Sequence, residues 1–209
     1  LNGVRKFAKI TSMNKQQPVT IFISGIGGTG VGPLAELALD AGIHVTGSDI
    51  KHTPQTNELE HRGVKVIYRQ DTTGITDIFQ ETPFDWFIYS SAIPNDSEEL
   101  QFVREHNIRH SKRDEFLADF IDQHKLDLIA VAGTHGKTTT TSMLVWVFHE
   151  LHKPVSYSIG STIPFGPTGH YDPTSRFFIY EADEYDHNFL AYHPTIATVV
   201  SLDDDHADI

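Results

Sequence analysis

From about residue 18 onward, short runs of apolar and β-branched residues alternate with amphipathic stretches. The run VTIFIS (19–24) is continuously hydrophobic and ends at glycine, as expected of a strand that is buried on both faces. The pattern predicts strands at 19–24, 43–49, 64–68, 85–92, 126–133, 175–183 and 195–206. It predicts helices at 33–42, 95–106 and 137–151. This alternation predicts an α/β fold with a Rossmann-like, doubly wound parallel sheet.

Helix-end signals support two of the predicted helices. Pro33 suits the first turn of the first helix, and Gly42 suits its C-terminal stop. Asp96 or Ser97 is the expected N-cap of the second helix, because short polar side chains accept hydrogen bonds from the first free N–H groups.

A second series of buried strands follows the segment IRHSKRDEFLADFIDQHK (108–125). We therefore predict a domain at 18–110 and a second at 111–209. The second unit has reached only three predicted strands at its last residue. We expect it to be incomplete and the chain to be the front part of a longer protein.

The net charge of −12 argues against a nucleic-acid partner, because binding to a phosphate backbone requires a basic face. Any anionic ligand must be held by local groups such as backbone N–H and helix N-termini. The chain has no cysteine, which excludes disulfides and thiolate sites. No apolar run approaches the roughly 20 residues that cross a bilayer. The N-terminus lacks the apolar core of a signal peptide, so we expect a cytoplasmic protein without a membrane partner.

The first glycine loop is SGIGGTGVG (24–32). Gly25, Gly27 and Gly30 match G-x-G-x-x-G between a predicted strand and a predicted helix, and Asp49 ends the next strand. This pattern is typical of a dinucleotide site, with glycines close to the phosphates and a carboxylate at a ribose hydroxyl. It fits NAD and any other nucleoside diphosphate equally. Alternatively, Gly28 and Gly32 only allow tight packing of the strand against the helix.

The second glycine loop, GTHGKT (133–138), lies at another strand-to-helix junction and predicts ATP binding. Lys137 is expected to reach the outer phosphates and the Thr138 hydroxyl to bind Mg²⁺. The loop is not a strict Walker A motif, because Val131 stands where that motif has glycine. The predicted ATP-binding residues are Gly133, Thr134, His135, Gly136, Lys137, Thr138 and Thr139.

Acidic residues follow the last two predicted strands. The first group is Glu181, Asp183, Glu184 and Asp186, and the second is Asp203, Asp204, Asp205 and His206. Oxygen ligands beside a phosphate loop suit Mg²⁺. Alternatively, individual members are solvated turn carboxylates. With no cysteine and no H-E-x-x-H pattern, zinc is not expected.

Together, GTHGKTTTT, EADEYD, DDDHADI, the first glycine loop and SSAIPNDSEEL resemble the Mur ligases of bacterial cell-wall synthesis. The resemblance extends from about Val19 to the end of the chain. It includes the variant P-loop with His135 and a separation of 206 − 181 = 25 between Glu181 and His206. Members of this family have three domains. The resemblance thus implies that the rest of the central domain and the whole C-terminal domain are absent from this chain. We therefore expect that the chain alone does not catalyse the ligase reaction.

The resemblance implies an ATP-dependent, amide-forming ligase of peptidoglycan synthesis. The carboxylate of UDP-N-acetylmuramate attacks the γ-phosphate of MgATP, and L-alanine then displaces phosphate from the acyl phosphate. A sibling enzyme that attaches a recycled tripeptide instead is the alternative within the family. An NAD(P)-dependent oxidoreductase would use only the first loop, and a non-catalytic nucleotide-binding module would leave the first domain without a role.

The resemblance also assigns roles to residues. The diphosphate and sugar of the UDP-sugar would contact Gly25, Gly27, Gly28, Thr29, Gly30, Ser90 and Ser91, with Asp49 near the uridine. Lys137 would stabilise charge on the transferring phosphoryl group. Thr138 with Glu181 would hold one Mg²⁺, and Glu181 with His206 a second. Ser201 departs from the asparagine that the family usually has there.

Overall fold

The computed structural model describes residues 19–182 and 192–202. Its first sheet has five parallel strands in the order β3-β2-β1-β4-β5. These strands are β1 (Thr20–Ser24), β2 (His44–Ser48), β3 (Lys65–Ile67), β4 (Trp86–Tyr89) and β5 (Arg109–Lys112). The accompanying helices are α1 (Gly32–Asp40), α2 (Pro54–His61), α3 (Thr72–Glu81), α4 (Glu98–Glu105) and α5 (Arg113–His124). The predicted doubly wound α/β fold is confirmed.

The second sheet also has five strands, in the order β10-β6-β9-β7-β8. They are β6 (Asp127–Ala132), β7 (Ser156–Ser158), β8 (Gly169–His170), β9 (Phe177–Glu181) and β10 (Ile196–Val199), and α6 (Lys137–Glu150) follows β6. All pairs are parallel except β7 with β8. The sequence predicted three of these strands. It missed β7 and β8 because they are short and carry no apolar run.

The segment 108–125, which carried no predicted element, contains β5 and α5. Strand β5 pairs with β4 in the first sheet, with Trp86 opposite Arg109. The predicted division at 110/111 therefore passes within a strand of the first sheet, and the division into domains stays a prediction. Ser97 is the N-cap of α4, since its side chain accepts a hydrogen bond from the N–H of Leu100 at 3.4 Å.

Helix α1 lies between the two sheets, and one apolar core extends from the first sheet to the second. Residues 32–38 of this helix are all buried. The shared core joins Ile21 of β1, Leu34 of α1, Phe116 of α5 and Phe178 of β9. Burial of apolar surface stabilises by about 25 cal/mol per Å², so a continuous core resists separation of the sheets. The loops at the strand ends are therefore held in a fixed relation.

A buried carboxylate of α1 also joins the helix to the second sheet. Glu36 is 2% exposed, and its Oε2 accepts hydrogen bonds from the Thr168 hydroxyl at 2.7 Å and the Gly169 N–H at 2.6 Å. Burial raises the pKa of Glu36, although these two hydrogen bonds oppose the rise. The Glu36 carboxylate thus accepts hydrogen bonds from the two residues at which the chain enters β8.

Asp40, one turn further along α1, contacts the next residues of the same segment. Its Oδ2 lies 2.8 Å from Nδ1 of His170 and accepts a hydrogen bond from the Tyr171 N–H at 3.0 Å, while Oδ1 accepts one from Arg62 at 2.6 Å. Burial alone would raise the pKa of Asp40, but these hydrogen bonds outweigh it and the pKa is lowered. Glu36 and Asp40 together attach the 168–171 segment to α1.

A second polar cluster lies at the end of β1, below the first glycine loop. Glu99 is 1% exposed and accepts a 2.5 Å hydrogen bond from the Ser24 hydroxyl. Gln70 donates to Ser24 at 3.1 Å and to Ser48 at 3.4 Å. The cluster connects the ends of β1 and β2 to α4, and so supports the start of the loop.

Replacing Glu36 by alanine is expected to lower the free energy of unfolding by about 1–3 kcal/mol, because it leaves a partly buried hydroxyl and a buried N–H without their acceptor. Urea denaturation at pH 7 measures the change. The control is Glu81→Ala, which removes an exposed ion pair with Lys65 and should cost less than about 1 kcal/mol. Equal losses in the two variants would contradict the role assigned to Glu36.

Burial raises the pKa of Glu99 from 4.5 to about 7, with the hydrogen bond from Ser24 opposing and the charges of Asp71 and Asp49 reinforcing the rise. A folded-state pKa above the unfolded value means that the folded protein binds the extra proton. The resulting stability is fully present below about pH 4.5 and is lost as the pH rises through about 7.

We therefore expect the wild-type free energy of unfolding to fall between pH 5 and pH 8, relative to Glu99→Gln, by on the order of 3 kcal/mol. Urea denaturation of both proteins at the two pH values tests this. Glu105→Gln, an exposed change on the same helix, is the control and should follow the wild type. Parallel pH profiles for wild type and Glu99→Gln would refute the prediction.

Candidate functional site

The first glycine loop follows β1 and turns sharply at its start. The N–H groups of Gly25 and Ile26 both donate to the Ser48 carbonyl, at 2.8 and 2.9 Å. Gly25 has φ +72°, a left-handed conformation that favours glycine. The turn thus ties the loop to the end of the neighbouring strand β2.

Most N–H groups of this loop are used to hold its own shape. Gly28 donates to the Gly25 carbonyl at 2.9 Å, and Gly32 donates to the Gly28 carbonyl at 2.8 Å. Val31 also donates to Gly28, and Gly27 donates to Asp49. Within the part of the chain that the structure describes, only the N–H groups of Thr29 and Gly30 in this loop have no hydrogen-bond partner. These two donors are the ones that remain for a phosphate.

Asp49, predicted to lie near a uridine, shapes the loop in the structure. It is 8% exposed. Its Oδ2 accepts from the Gly27 N–H at 2.8 Å, and its Oδ1 accepts from the N–H groups of Ile50 at 2.7 Å and Lys51 at 3.1 Å. A Cβ on Gly27 would lie 2.9 Å from Oδ2 and 2.7 Å from Oγ1 of Thr53, so a side chain there displaces the loop. The contact with uridine stays a prediction.

The predicted sugar-side residues follow β4, on the other side of β1. The Ser90 hydroxyl accepts from the Ala92 N–H at 3.3 Å, and the Ser90 carbonyl accepts from Ile93 at 3.0 Å. The Ile93 side chain lies 3.9 Å from the Cβ position of Gly25. Ser90 and its neighbour Ser91 therefore border the first glycine loop at the same edge of the sheet.

The second glycine loop connects β6 to α6 and has the geometry of a phosphate-binding turn. Gly133 and Gly136 have φ +132° and +83°, and Gly136 is the N-cap of α6. The first N–H groups of a helix have no partner within it and favour an anion. The Lys137 ammonium donates to the carbonyls of Gly133 at 2.6 Å and Thr134 at 3.3 Å. The lysine thus lies across the loop that it is predicted to complete.

Ser201 closes this loop from the neighbouring strand end. Its hydroxyl accepts a hydrogen bond from the His135 N–H at 2.7 Å and donates to the His135 carbonyl at 3.0 Å. The Ser201 carbonyl accepts from the Thr134 N–H at 3.3 Å. A Cβ on Gly133 would lie 2.8 Å from the Ser201 backbone nitrogen, so only glycine fits. The serine that departs from the family pattern therefore supplies a polar contact to the P-loop backbone.

Glu181 ends β9, the neighbour of β6, and meets the P-loop threonine. The Thr138 hydroxyl donates to Glu181 Oε1 at 2.6 Å, and the Gly160 N–H donates to Oε2 at 3.1 Å. A hydroxyl and a carboxylate in contact form an oxygen donor set that suits Mg²⁺. Thr139, which is also among the predicted ATP-binding residues, lies exposed at the next position of α6.

The remaining predicted ligands lie outside the described residues. They are Asp183, Glu184, Asp186, Asp203, Asp204, Asp205 and His206. Among the residues at 19–182 and 192–202, no group of three or more His, Asp or Glu side chains is arranged to hold a metal. The predicted role of His206 as a metal ligand thus remains a prediction from the sequence.

The two glycine loops open into one cavity of about 280 Å³. Thr29 and Gly30 of the first loop line it, and so do Lys137 and Glu181 of the second. Its other lining residues are Leu34, Arg113, Leu117, Ser158, Gly160, Tyr180 and Tyr192. The sequence pattern did not single out Arg113, whose only signal was a cation at the start of an unassigned amphipathic segment. A larger cavity of about 710 Å³ adjoins the outer face of the first loop, between α1, α2 and residues 160–170.

None of the helices in the described ranges has the length and apolar composition needed to span a membrane.

Comparison with known proteins agrees with this arrangement. Residues 20–125 match the profile described as "Mur ligase family, catalytic domain". The UDP-N-acetylmuramate–L-alanine ligase of Coxiella burnetii is 40% identical over 182 residues, which are 87% of this chain and 37% of that protein. The chain therefore spans under two fifths of the length of this curated relative.

Two solved structures are similar in fold and sequence. The UDP-N-acetylmuramate:L-alanyl-gamma-D-glutamyl-meso-diaminopimelate ligase from Neisseria meningitides aligns with a TM-score of 0.81 and 32% identity, over 92% of this chain and 63% of that one. The UDP-N-acetylmuramate-alanine ligase from Thermotoga maritima aligns with a TM-score of 0.80 and 27% identity, over 90% of this chain and 42% of that one. Since the family profile covers half of its residues, this chain belongs to the Mur ligase family.

Proposed function

We propose that the chain contributes the UDP-sugar site and the ATP phosphate site of a ligase that joins L-alanine to the carboxylate of UDP-N-acetylmuramate. The observation that carries the proposal is the shared cavity, with Thr29 and Gly30 on one wall and Lys137 and Glu181 on another. In this reaction the muramate carboxylate must meet the γ-phosphate of ATP. A single cavity between the two phosphate-binding loops provides that meeting point.

In the proposed reaction, a carboxylate oxygen of the muramate attacks the γ-phosphorus of ATP, and ADP leaves with the electrons of the broken P–O bond. The amine of L-alanine then attacks the carbonyl carbon of the acyl phosphate, and the tetrahedral intermediate expels inorganic phosphate. Phosphoryl transfer depends mainly on positioning and charge neutralisation. Lys137 would supply positive charge at the transferring group, and the α6 N-terminus would hold phosphate oxygens.

Thr138 and Glu181 fit an Mg²⁺ ion by their chemistry, because both present oxygen at one point beside the P-loop. Mg²⁺ would neutralise phosphate charge there when bound. His206 with Glu181 is the proposed second ligand pair. The Thr138 hydroxyl donates a hydrogen bond to the Glu181 carboxylate, which keeps both oxygens at the loop.

L-alanine is the proposed acceptor because the Coxiella burnetii relative, at 40% identity, is named for it. The Neisseria meningitides structure, at 32% identity, is named for a peptide acceptor, so the recycled tripeptide is the competing acceptor. The comparisons give no support to an NAD(P)-dependent oxidoreductase. We further propose a cytoplasmic enzyme with two domains in this region, 18–110 and 111–209.

We expect the chain to bind UDP-N-acetylmuramate and not NADH, as measured by isothermal titration calorimetry. Gly27→Val should lower the affinity for the UDP-sugar by about tenfold or more, because the valine side chain displaces Asp49 and Thr53. Gly42→Ala is the control, because a Cβ on Gly42 would meet no atom within 4 Å and Gly42 lines neither cavity. Binding of NADH alone would refute the proposal.

We expect Lys137→Met to weaken binding of MgATP by about tenfold or more, because charge-assisted hydrogen bonds to phosphate are lost. A fluorescent ATP analogue, displaced by ATP, measures the affinity. Lys153→Met, an exposed change just beyond α6, serves as the matched control and should bind like the wild type. If both variants keep full affinity, the second loop is not an ATP site.

A further inference from the structure

We propose that Arg113 is the cationic side chain of the UDP-sugar site. Together with the N–H groups of Thr29 and Gly30, its guanidinium would hold the diphosphate at the mouth of the shared cavity and direct the muramate toward Lys137. This inference rests on the proposed function and adds to it a residue outside both glycine motifs.

The position of the Arg113 side chain depends on Gly30. A Cβ built on Gly30 would overlap Nη1 of Arg113, which shows that the guanidinium lies directly against the backbone of the first loop. The Arg113 side chain is only 16% exposed and lines the 280 Å³ cavity. Gly30 therefore has a role beyond backbone freedom, since its missing side chain makes room for a cation.

The same point of the loop carries the two N–H groups that remain for a ligand. In the described residues, every other N–H between Gly25 and Gly32 donates to a carbonyl or to Asp49. Thr29 and Gly30 also line the cavity into which Arg113 extends. Two backbone donors and one guanidinium at one place make a site for a phosphate, because guanidinium binds phosphate oxygens in a bidentate manner.

Asp114 contacts the arginine at a different edge from Gly30 and is itself contacted by Tyr192. Asp114 is buried, and its Oδ1 lies 3.3 Å from Arg113 Nε and 3.4 Å from the Tyr192 hydroxyl. The carboxylate contacts the Nε edge of the guanidinium, whereas Nη1 lies at Gly30. Such a contact orients the planar group, so that little side-chain freedom is lost when an anion binds.

Helix stability does not explain a cation at this place. Arg113 is the first residue of α5, where the helix dipole favours negative charge and disfavours positive charge. The chain as a whole carries a net charge of −12. A diphosphate approaching this surface needs local positive charge, and Arg113 supplies it beside the first loop as Lys137 does beside the second.

The test measures the affinities of UDP-N-acetylmuramate, UDP, uridine and ATP for wild type and variants by calorimetry. Arg113→Met should lower the affinity for UDP and for UDP-N-acetylmuramate by about tenfold to a hundredfold. The affinities for uridine and for ATP should stay within about twofold of the wild-type values. Arg113→Lys should lose part of the affinity, since the point charge remains but the bidentate geometry does not.

Two further variants separate binding from folding. Gly30→Ala should weaken UDP by displacing the guanidinium, with little change in melting temperature, because the far end of a flexible side chain can move. Arg109→Met is the matched control: this arginine is in the same segment, pairs with Asp119 at 2.6 Å and covers Trp86, away from the cavity. It should leave the affinity for UDP unchanged.

Unchanged UDP affinity in Arg113→Met, with a wild type that binds UDP-N-acetylmuramate, would overturn the inference and leave the proposed function standing. Equal losses for uridine, UDP and ATP would also overturn it, since they indicate a structural role. A wild type that binds no UDP-sugar would instead refute the proposed function itself.

Discussion

The burial of α1 between the two sheets is the constraint on which the site depends. The helix starts directly after the first glycine loop, and its first seven residues are buried. Because its apolar residues belong to a core shared with β6 and β9, the first loop cannot move independently of the second sheet. Glu36 and Asp40 reinforce this packing through hydrogen bonds to the 168–171 segment. The cavity between the two glycine loops is a consequence of that packing.

Within each glycine loop, most polar groups stabilise the loop, and few remain for a ligand. Asp49 and the Gly28 carbonyl use up N–H groups of the first loop, and Ser201 uses those of Thr134 and His135 in the second. When most N–H groups of a loop are already hydrogen-bonded, the remaining N–H groups point in a defined direction. The loop then loses little conformational entropy when the ligand binds. Glycine-rich motifs therefore locate a phosphate site, but the hydrogen bonds determine which amides are available.

Because the chain is acidic, binding of an anionic nucleotide depends on cationic side chains close to the site. With a net charge of −12, long-range attraction of a nucleotide is absent, so the anion must be held by groups at short distance. Lys137 lies across the P-loop, and Arg113 lies on Gly30, at two ends of one cavity. A UDP-sugar bound at one cation and ATP at the other would bring carboxylate and γ-phosphate together between them, which unites the two proposals.

The sequence by itself determined the α/β fold, both glycine loops and the acidic end of β9, because buried strands, glycine turns and the Gly-Lys-Thr pattern are local signals. It missed the strands β5, β7 and β8 and the helices α2, α3 and α5, whose residues are mostly polar or lie in short segments without clear periodicity. Only the tertiary structure decided that Arg113 lies on Gly30 and that Ser201 closes the P-loop. It also brings Thr138 against Glu181, a pair that the family resemblance had placed at one metal ion. These contacts join residues that are far apart in the chain, and sequence spacing carries no information about which strand ends become neighbours in a sheet.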